Sequence, residues 1–317
     1  MSETAPAKTK SKPVYFTHLE LLFVVAIWSG TFVSTQVVLT QVTPALSALY
    51  RYLVASIILL AMGSKNKERI ERADYPILFF LSLTGVTLYY LLQHYGLRYA
   101  NATDASILIS LSPVFMGLIS WLLLKERVRP LAVVGLVLAF AGCLLVITNG
   151  HTTHNAGNGR LLGDFLILLT AISWALYSIY GKKLLSRYSV MTLIKYTTLV
   201  GTLFLIPFAV PELVTKGIQV PNWVGWLNLL YLGGAASVYG YLAWYRALTR
   251  LPAVTVGSYL YFRPFLTGII AAIVLHDKVG LWAVTGGIMV LAGTFLSTAK
   301  GSPGKDIWPK VFRRMSL

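Results

Sequence analysis

The chain has 317 residues, of which 56% are hydrophobic and only 12% charged, with a mean hydropathy of +0.69. An ordinary soluble domain, with about twice that charged fraction, is excluded. A net charge of +16 would suit a nucleic-acid binder, but Lys and Arg sit in short clusters between apolar runs rather than on one amphipathic face, so that class is excluded as well.

Residues 1–18 are polar and carry Lys8, Lys10 and Lys12. No cleavable leader is expected, because the first apolar run is long enough to span. Crossing roughly 30 Å of hydrocarbon takes about 20 apolar residues in a helix. Such runs lie near 19–39, 46–62, 76–96, 104–124 and 130–148. The loop 149–160 is polar and rich in Gly and Asn, and its His151 and His154 read as solvated side chains rather than a metal pair. Five more runs follow near 161–181, 190–210, 224–244, 253–275 and 280–299, and a basic tail covers 300–317. Pro44, Pro76, Pro130 and Pro252 stand at starts or in preceding turns, where a missing N–H costs little. The single cysteine, Cys143, lies in an apolar run and reads as a small core hydrophobe.

Direction comes from the cations in the connections. With the N-terminus inside, only Arg98, Arg160, Lys216 and Lys278 fall in outside segments, and Arg51, Lys195 and Arg263 fall within spans. Every other Lys and Arg is then inside, so both termini are expected to be cytoplasmic.

An internal repeat divides the chain. A shift of 151 residues lays 90–142 on 241–293 without a gap. It matches Tyr90 with Tyr241, Pro113 with Pro264, Gly135 with Gly286 and Gly142 with Gly293. Under a smaller shift, Arg51 falls on Lys195 and Trp28 on Trp174. Five spans per repeat is an odd number, so the second repeat enters from the opposite face. The expected architecture is an all-α integral membrane protein of ten helices in two inverted five-helix repeats. Its parts are a cytoplasmic tail 1–18, a first repeat 19–148, an external loop 149–160, a second repeat 161–299 and a basic cytoplasmic tail 300–317. Gly135, Gly142, Gly286 and Gly293 put small residues on one face of the fifth and tenth spans. That face joins either the two halves or two protomers of a homodimer.

Certain stretches resemble a known family. Asn101-Ala-Thr-Asp-Ala-Ser-Ile-Leu-Ile-Ser-Leu-Ser-Pro113-Val-Phe, followed by Leu124-Lys-Glu126-Arg, resembles the fourth-helix signature of EamA-type transporters of the drug/metabolite transporter superfamily. Tyr245-Arg-Ala-Leu-Thr-Arg-Leu-Pro252-Ala is similar to the matching stretch of their second repeat, and Ala26-Ile-Trp28-Ser-Gly30 to their first helix. The resemblance implies a central cavity and alternating-access export of small metabolites such as amino acids from a prokaryotic inner membrane. No enzymatic activity, no cofactor and no metal are expected. Two departures stand out. Arg263 occupies a place where relatives often carry an acid before the proline, and Leu275-His-Asp277 stands where they often read Leu-Gly-Glu.

Ionisable groups inside a membrane cost at least ~3 kcal/mol near the centre, so they need a pairing or a purpose. Arg263 lies about ten residues, or ~15 Å, into its run, with Tyr259 one helical turn earlier on the same face. It is the expected anchor for a substrate carboxylate or phosphate. The alternative is a cation tied to backbone carbonyls or to a buried acid such as Asp104. Arg51 and Lys195 are each about two turns from a span end and are expected to snorkel. Trp28, Tyr89, Tyr90, Gln93, Trp174, Tyr177 and Tyr239 are candidate walls, with Ser110 and Ser112 beside the kink-capable Pro113; its repeat mate Pro264 is the second candidate kink. His94 reads as structural.

A small solute and membrane lipid are the expected partners; a coupling ion, with the proton as candidate, is left open. The competing function is export of hydrophobic or cationic drug-like compounds through an aromatic cage. It is disfavoured because Glu20, Asp104, Asp164, Glu126 and Asp277 all sit near span ends. A membrane enzyme would need a nucleophile and base converging at one depth, and no such set is legible; nor is there a phosphate-binding Gly-rich loop.

Overall fold

The computed structural model describes residues 14–63, 68–115, 118–119, 130–148, 159–251, 256, 259–276 and 280–298. Residues 1–13 and 299–317, His151, His154, Glu126, Pro252, Asp277 and the side chain of Cys143 lie outside the described residues. Among the described residues, ten main helical segments follow one another and no strand occurs. They are α1 (Val14–Leu39), α2 (Pro44–Met62), α3 (Arg72–Leu97), α4 (Ala102–Phe115), α5 (Pro130–Thr148), α6 (Gly159–Leu185), α7 (Val190–Lys216), α8 (223–250), α9 (Tyr259–Val274) and α10 (Leu281–Thr298). Five stretches, Tyr15–Leu39, Pro44–Met62, Arg72–Leu97, Gly159–Gly181 and Val190–Lys216, are on their own long and apolar enough to cross a membrane.

Local chemistry sets the starts. Pro44 and Pro130 occupy first helical positions, where no N–H partner is lost. Asn101 accepts from the N–H of Asp104 at 2.8 Å, and Asn222 from that of Gly225 at 3.0 Å, satisfying donors the helix cannot. The surface is apolar: Phe23, Ile57, Leu203, Phe265 and Ile273 are exposed, whereas Arg51, Gln93, Asp164 and Arg263 are buried. Water would penalise such a surface, and hydrocarbon does not. The chain is an integral multi-pass membrane protein.

Four segments are interrupted, and the interruptions repeat. α3 contains a π turn at Leu83–Leu88 and α8 one at Tyr231–Tyr239; the 151-residue shift lays the first on the end of the second. α4 breaks into a turn at residues 110–111 just before Pro113, and α9 opens with a 3-10 turn, Tyr259–Phe262, before Arg263 and Pro264. The unbroken runs expected at 104–124 and 253–275 are therefore corrected. Proline removes a helical donor and restricts the residue before it, so a break in each half falls at the matching place.

Each helix finds its main neighbours in the opposite half. α1 packs on α9 and α8, as α6 packs on α4 and α3; α2 packs on α8 as α7 packs on α3; and α2 meets α7. Repeat mates touch one another: the hydroxyls of Tyr90 and Tyr241 are 3.0 Å apart, and Trp28 meets Trp174 edge-on at 5.7 Å. Only residues beside a pseudo-two-fold axis can do this.

The most extensive contact joins α5 to α10. A Cβ added at Gly142 would lie 2.6 Å from the carbonyl oxygen of Gly286, and one at Gly293 2.5 Å from that of Gly135. The glycine stripe therefore joins the two halves. It does not present a free face for a homodimer.

At the start of α7, Ser189 and Thr192 donate hydroxyl hydrogen bonds to Glu68, each at 2.5 Å, and the Ser189 N–H adds a bond at 3.1 Å. A carboxylate here also faces the positive end of the helix dipole. Hydrogen bonds from Ser189 and then Thr192 hold the Glu68 carboxyl below its ordinary 4.5. A folded-state value below the unfolded one stabilises above pH 4.5 and loses that contribution as pH falls through the folded value. In melts of the wild type and Glu68→Gln from pH 7 to pH 3, the wild type is expected to be modestly more stable at neutral pH. The gap should close on acidification; a gap independent of pH contradicts the assignment.

Candidate functional site

Midway along α1, helices from both halves enclose a cavity with about 20 Å³ of water-accessible space, room for about one water. α1 contributes Trp28 and Thr31, α2 Arg51, and α3 Tyr89, Tyr90 and Gln93. Ile109 and Ser112 come from α4, Trp174 from α6, Tyr241 from α8, and Leu260 and Arg263 from α9. The π turns carry Tyr90 and Tyr241 to this point, and opposite-half donors satisfy the carbonyls within them. Trp28 Nε1 donates to the Ala236 carbonyl at 3.0 Å, and Ser173 Oγ to that of Thr84 at 2.7 Å. Such local widenings recur at functional positions in helices.

Of the residues singled out from sequence, Trp28, Tyr89, Tyr90, Gln93, Ser112, Trp174 and Arg263 line the cavity. Four others do not. Ser110 donates to the Ser106 carbonyl at 2.8 Å. Tyr177 lies behind the wall, its ring 5.8 Å from Trp174 and 5.6 Å from Tyr245. Tyr239 packs edge-on against Phe23 at 5.8 Å. The Tyr259 hydroxyl meets Nδ1 of His18 at 2.5 Å. Tyr259 was expected on the Arg263 face, but a 3-10 turn places residues four apart about 120° round the axis, against about 40° in an α-helix. Pro113 and Pro264 both sit at the breaks described above.

The main residue missed is Arg51. Far from snorkelling, it is only 2% exposed. Its Nε donates to Ser237 Oγ at 2.9 Å and its Nη2 to the Tyr90 hydroxyl at 3.2 Å, with the guanidinium 4.2 Å from the centre of the Tyr90 ring. Nη1 has no hydrogen-bond partner among the described residues. Tyr241 was also missed, although its repeat relation to Tyr90 was the available signal.

Arg263 is 6% exposed and sits 4.4 Å from the ring centre of Phe32. Its Nη2 reaches the Trp28 carbonyl and Thr31 Oγ1 only at 3.4 and 3.5 Å, which is long for a hydrogen bond. Its Nε has no partner among the described residues. The backbone-carbonyl alternative is thus met only weakly. The buried-acid alternative is not met, because Asp104 pairs with Arg160 at 2.9 Å. The α-helical part of α9 begins at Arg263, so the positive end of its dipole adds to the guanidinium charge.

Polar ties join the helices on either side of the cavity along α1. Near the start of α1, Arg246 pairs with Glu20 at 2.6 Å and His18 meets Tyr259. At the other end, Glu212 accepts from the Tyr95 hydroxyl at 2.7 Å and from the Leu46 N–H at 3.1 Å, while Gln219 accepts from the Thr43 N–H at 2.7 Å.

The EamA-like transporter family matches residues 16–148 and 161–299. An uncharacterized transporter of Archaeoglobus fulgidus is 37% identical over 90% of this chain and 98% of its own length. The uncharacterized transporter YetK of Bacillus subtilis is 27% identical over 86% of each. A protein of Streptantibioticus cattleyicolor named "probable terminal-alkyne amino-acid exporter" is 28% identical over 87% of this chain and 91% of its own. One solved crystal structure shares the fold with a TM-score of 0.63 at 17% identity, covering 90% of this chain and 98% of that one.

Proposed function

The chain belongs to the EamA-like transporter family, and from that premise we propose that it exports small carboxylate-bearing metabolites, amino acids foremost, through the cavity around Arg263. The observation that carries this reading is a buried guanidinium in a small cavity, with an Nε that has no partner and no carboxylate in the lining among the described residues. A carboxylate there would gain a charge-assisted, two-point contact while the surrounding Trp and Tyr rings cover the rest of the solute. The relative named as an amino-acid exporter supports the same class. The aromatic-cage alternative for cations is opposed by Arg51 and Arg263, since like charges facing one small cavity repel a cationic solute.

In this reading all ten helical segments cross a prokaryotic inner membrane, the repeats are inverted and both termini are cytoplasmic, as the distribution of Lys and Arg favours. Transport proceeds by alternating access. Rocking of the interlocked halves releases the ties at Glu20–Arg246 or those at Glu212, one end at a time, and widens the water-sized cavity to admit solute. Purified protein reconstituted in liposomes and preloaded with labelled amino acids is expected to show saturable efflux above empty vesicles. Absence of efflux for the whole amino-acid set would sink the substrate class.

A further inference from the structure

The most deeply buried arginines are the ones without acids. Among the described residues, Arg160 pairs with Asp104, Arg187 with Glu71 and Asp74, and Arg246 with Glu20, and all three are partly exposed. Arg51 and Arg263 line the same cavity at 2% and 6% exposure, and no ion pair to a carboxylate reaches either of them there. This reverses the usual rule that buried charges are paired while exposed ones need not be.

Each guanidinium also keeps a buried donor unused, Nη1 on Arg51 and Nε on Arg263. The hydrogen bonds they do make run to neutral groups, among them Ser237, the Tyr90 hydroxyl, the Trp28 carbonyl and Thr31. The two charges come from different halves and are not copies of one another. The repeat mate of Arg263 is Ser112, neutral but still in the lining. The mate of Arg51 is Lys195, which lies outside the lining with its ammonium 4.9 Å from the ring centre of Tyr196. Symmetry therefore does not explain Arg263, and although Arg51 has a cationic mate in Lys195, only Arg51 of that pair lines the cavity.

We propose that the solute is a doubly charged anion, a dicarboxylate or a small phosphoryl compound, held by Arg263 through one acidic oxygen pair and by Arg51 through another. The inference rests on the reading of this cavity as the transport site for an anion, and it replaces the solute with a single carboxylate by one that carries two negative charges. A monoanion leaves one buried guanidinium without a counter-charge; a dianion neutralises both. It also bridges the two halves of the chain, so their relative movement alters its grip.

The test uses purified full-length protein in chloride-free buffer, with thermal-shift titrations of succinate, inorganic phosphate, butyrate, norvaline and sodium chloride. Succinate or phosphate is expected to bind at least about ten-fold more tightly than butyrate or norvaline, as one additional charge-assisted contact implies. A stronger response to succinate identifies carboxylates, and a stronger one to phosphate a phosphoryl group. Arg51→Gln should lose at least about ten-fold more affinity for the dianion than for butyrate, and Arg51→Lys should lose less. Equal binding of mono- and dianions, a dianion preference that survives Arg51→Gln, or chloride acting as well as succinate overturns the proposal. If Arg51→Gln does not fold, wild-type efflux of labelled succinate and labelled phosphate against labelled norvaline from liposomes gives the same discrimination. Norvaline moving while neither labelled succinate nor labelled phosphate moves defeats this inference alone; no solute of any kind moving defeats the transport reading of the cavity.

Discussion

Arg263→Gln is expected to weaken binding of a carboxylate-bearing solute by about 10- to 100-fold, measured by thermal-shift titration or by solute efflux from liposomes. A hydrogen bond to a charged group is worth about 1.5–3 kcal/mol, and about 1.4 kcal/mol is a factor of ten. The same substitution should leave the unfolding midpoint without ligand unchanged or slightly higher. Arg263 is buried, has an unpartnered Nε and makes only long contacts through Nη2, so its removal relieves a desolvated charge. This second measurement separates the roles. A structural cation would lower the midpoint when replaced and leave solute binding intact, and that pair of results would refute the assignment. Arg263→Lys should recover only part of the affinity, because an ammonium cannot make the planar two-point contact of a guanidinium.

Gly142→Ala and Gly293→Ala are expected to destabilise the fold by about 1–3 kcal/mol each, the usual cost of overpacking. At both sites the atoms in the way are largely backbone. The Gly142 Cβ would also lie 2.8 Å from the Val290 nitrogen, and the Gly293 Cβ 2.8 Å from the Ala139 Cα. Backbone atoms yield only if α5 and α10 move apart, and their close approach is the reason small residues recur every seventh position on this face. Gly268→Ala in α9 is the control. Its Cβ would meet only Thr103 Cγ2 at 3.7 Å, an ordinary contact, and alanine improves the helix by up to about 1 kcal/mol. Detergent unfolding of the three variants checks the contrast; three equal midpoints would show that the α5–α10 approach carries no such weight.

The sites of success and failure in reading the chain differ in kind. Apolar runs, capping residues, prolines and the repeat are legible because each acts locally or through transfer to hydrocarbon, and the helical segments follow them. Arg263 and most of the aromatic wall were legible because a charge or a repeated aromatic inside an apolar run is conspicuous. Arg51 was equally conspicuous, but its distance from a span end favoured the interface. Only the opposing α8, with Ser237 close to the guanidinium, makes it an interior group. Tyr259 failed for a different reason, since it was placed by regular helical geometry in a stretch that is not regular α-helix, and Tyr239 ends a π turn.

By itself, then, the sequence determined that this is a membrane protein of two repeats, with candidate kinks at Pro113 and Pro264 and a cation before the second. Those properties depend on composition, spacing and the missing N–H of proline. The tertiary structure alone decided which polar side chains share one cavity. That outcome depends on π and 3-10 turns rotating the helical register and on two halves packing across a pseudo-two-fold axis, which brings together residues such as Arg51 and Arg263 that no local pattern connects.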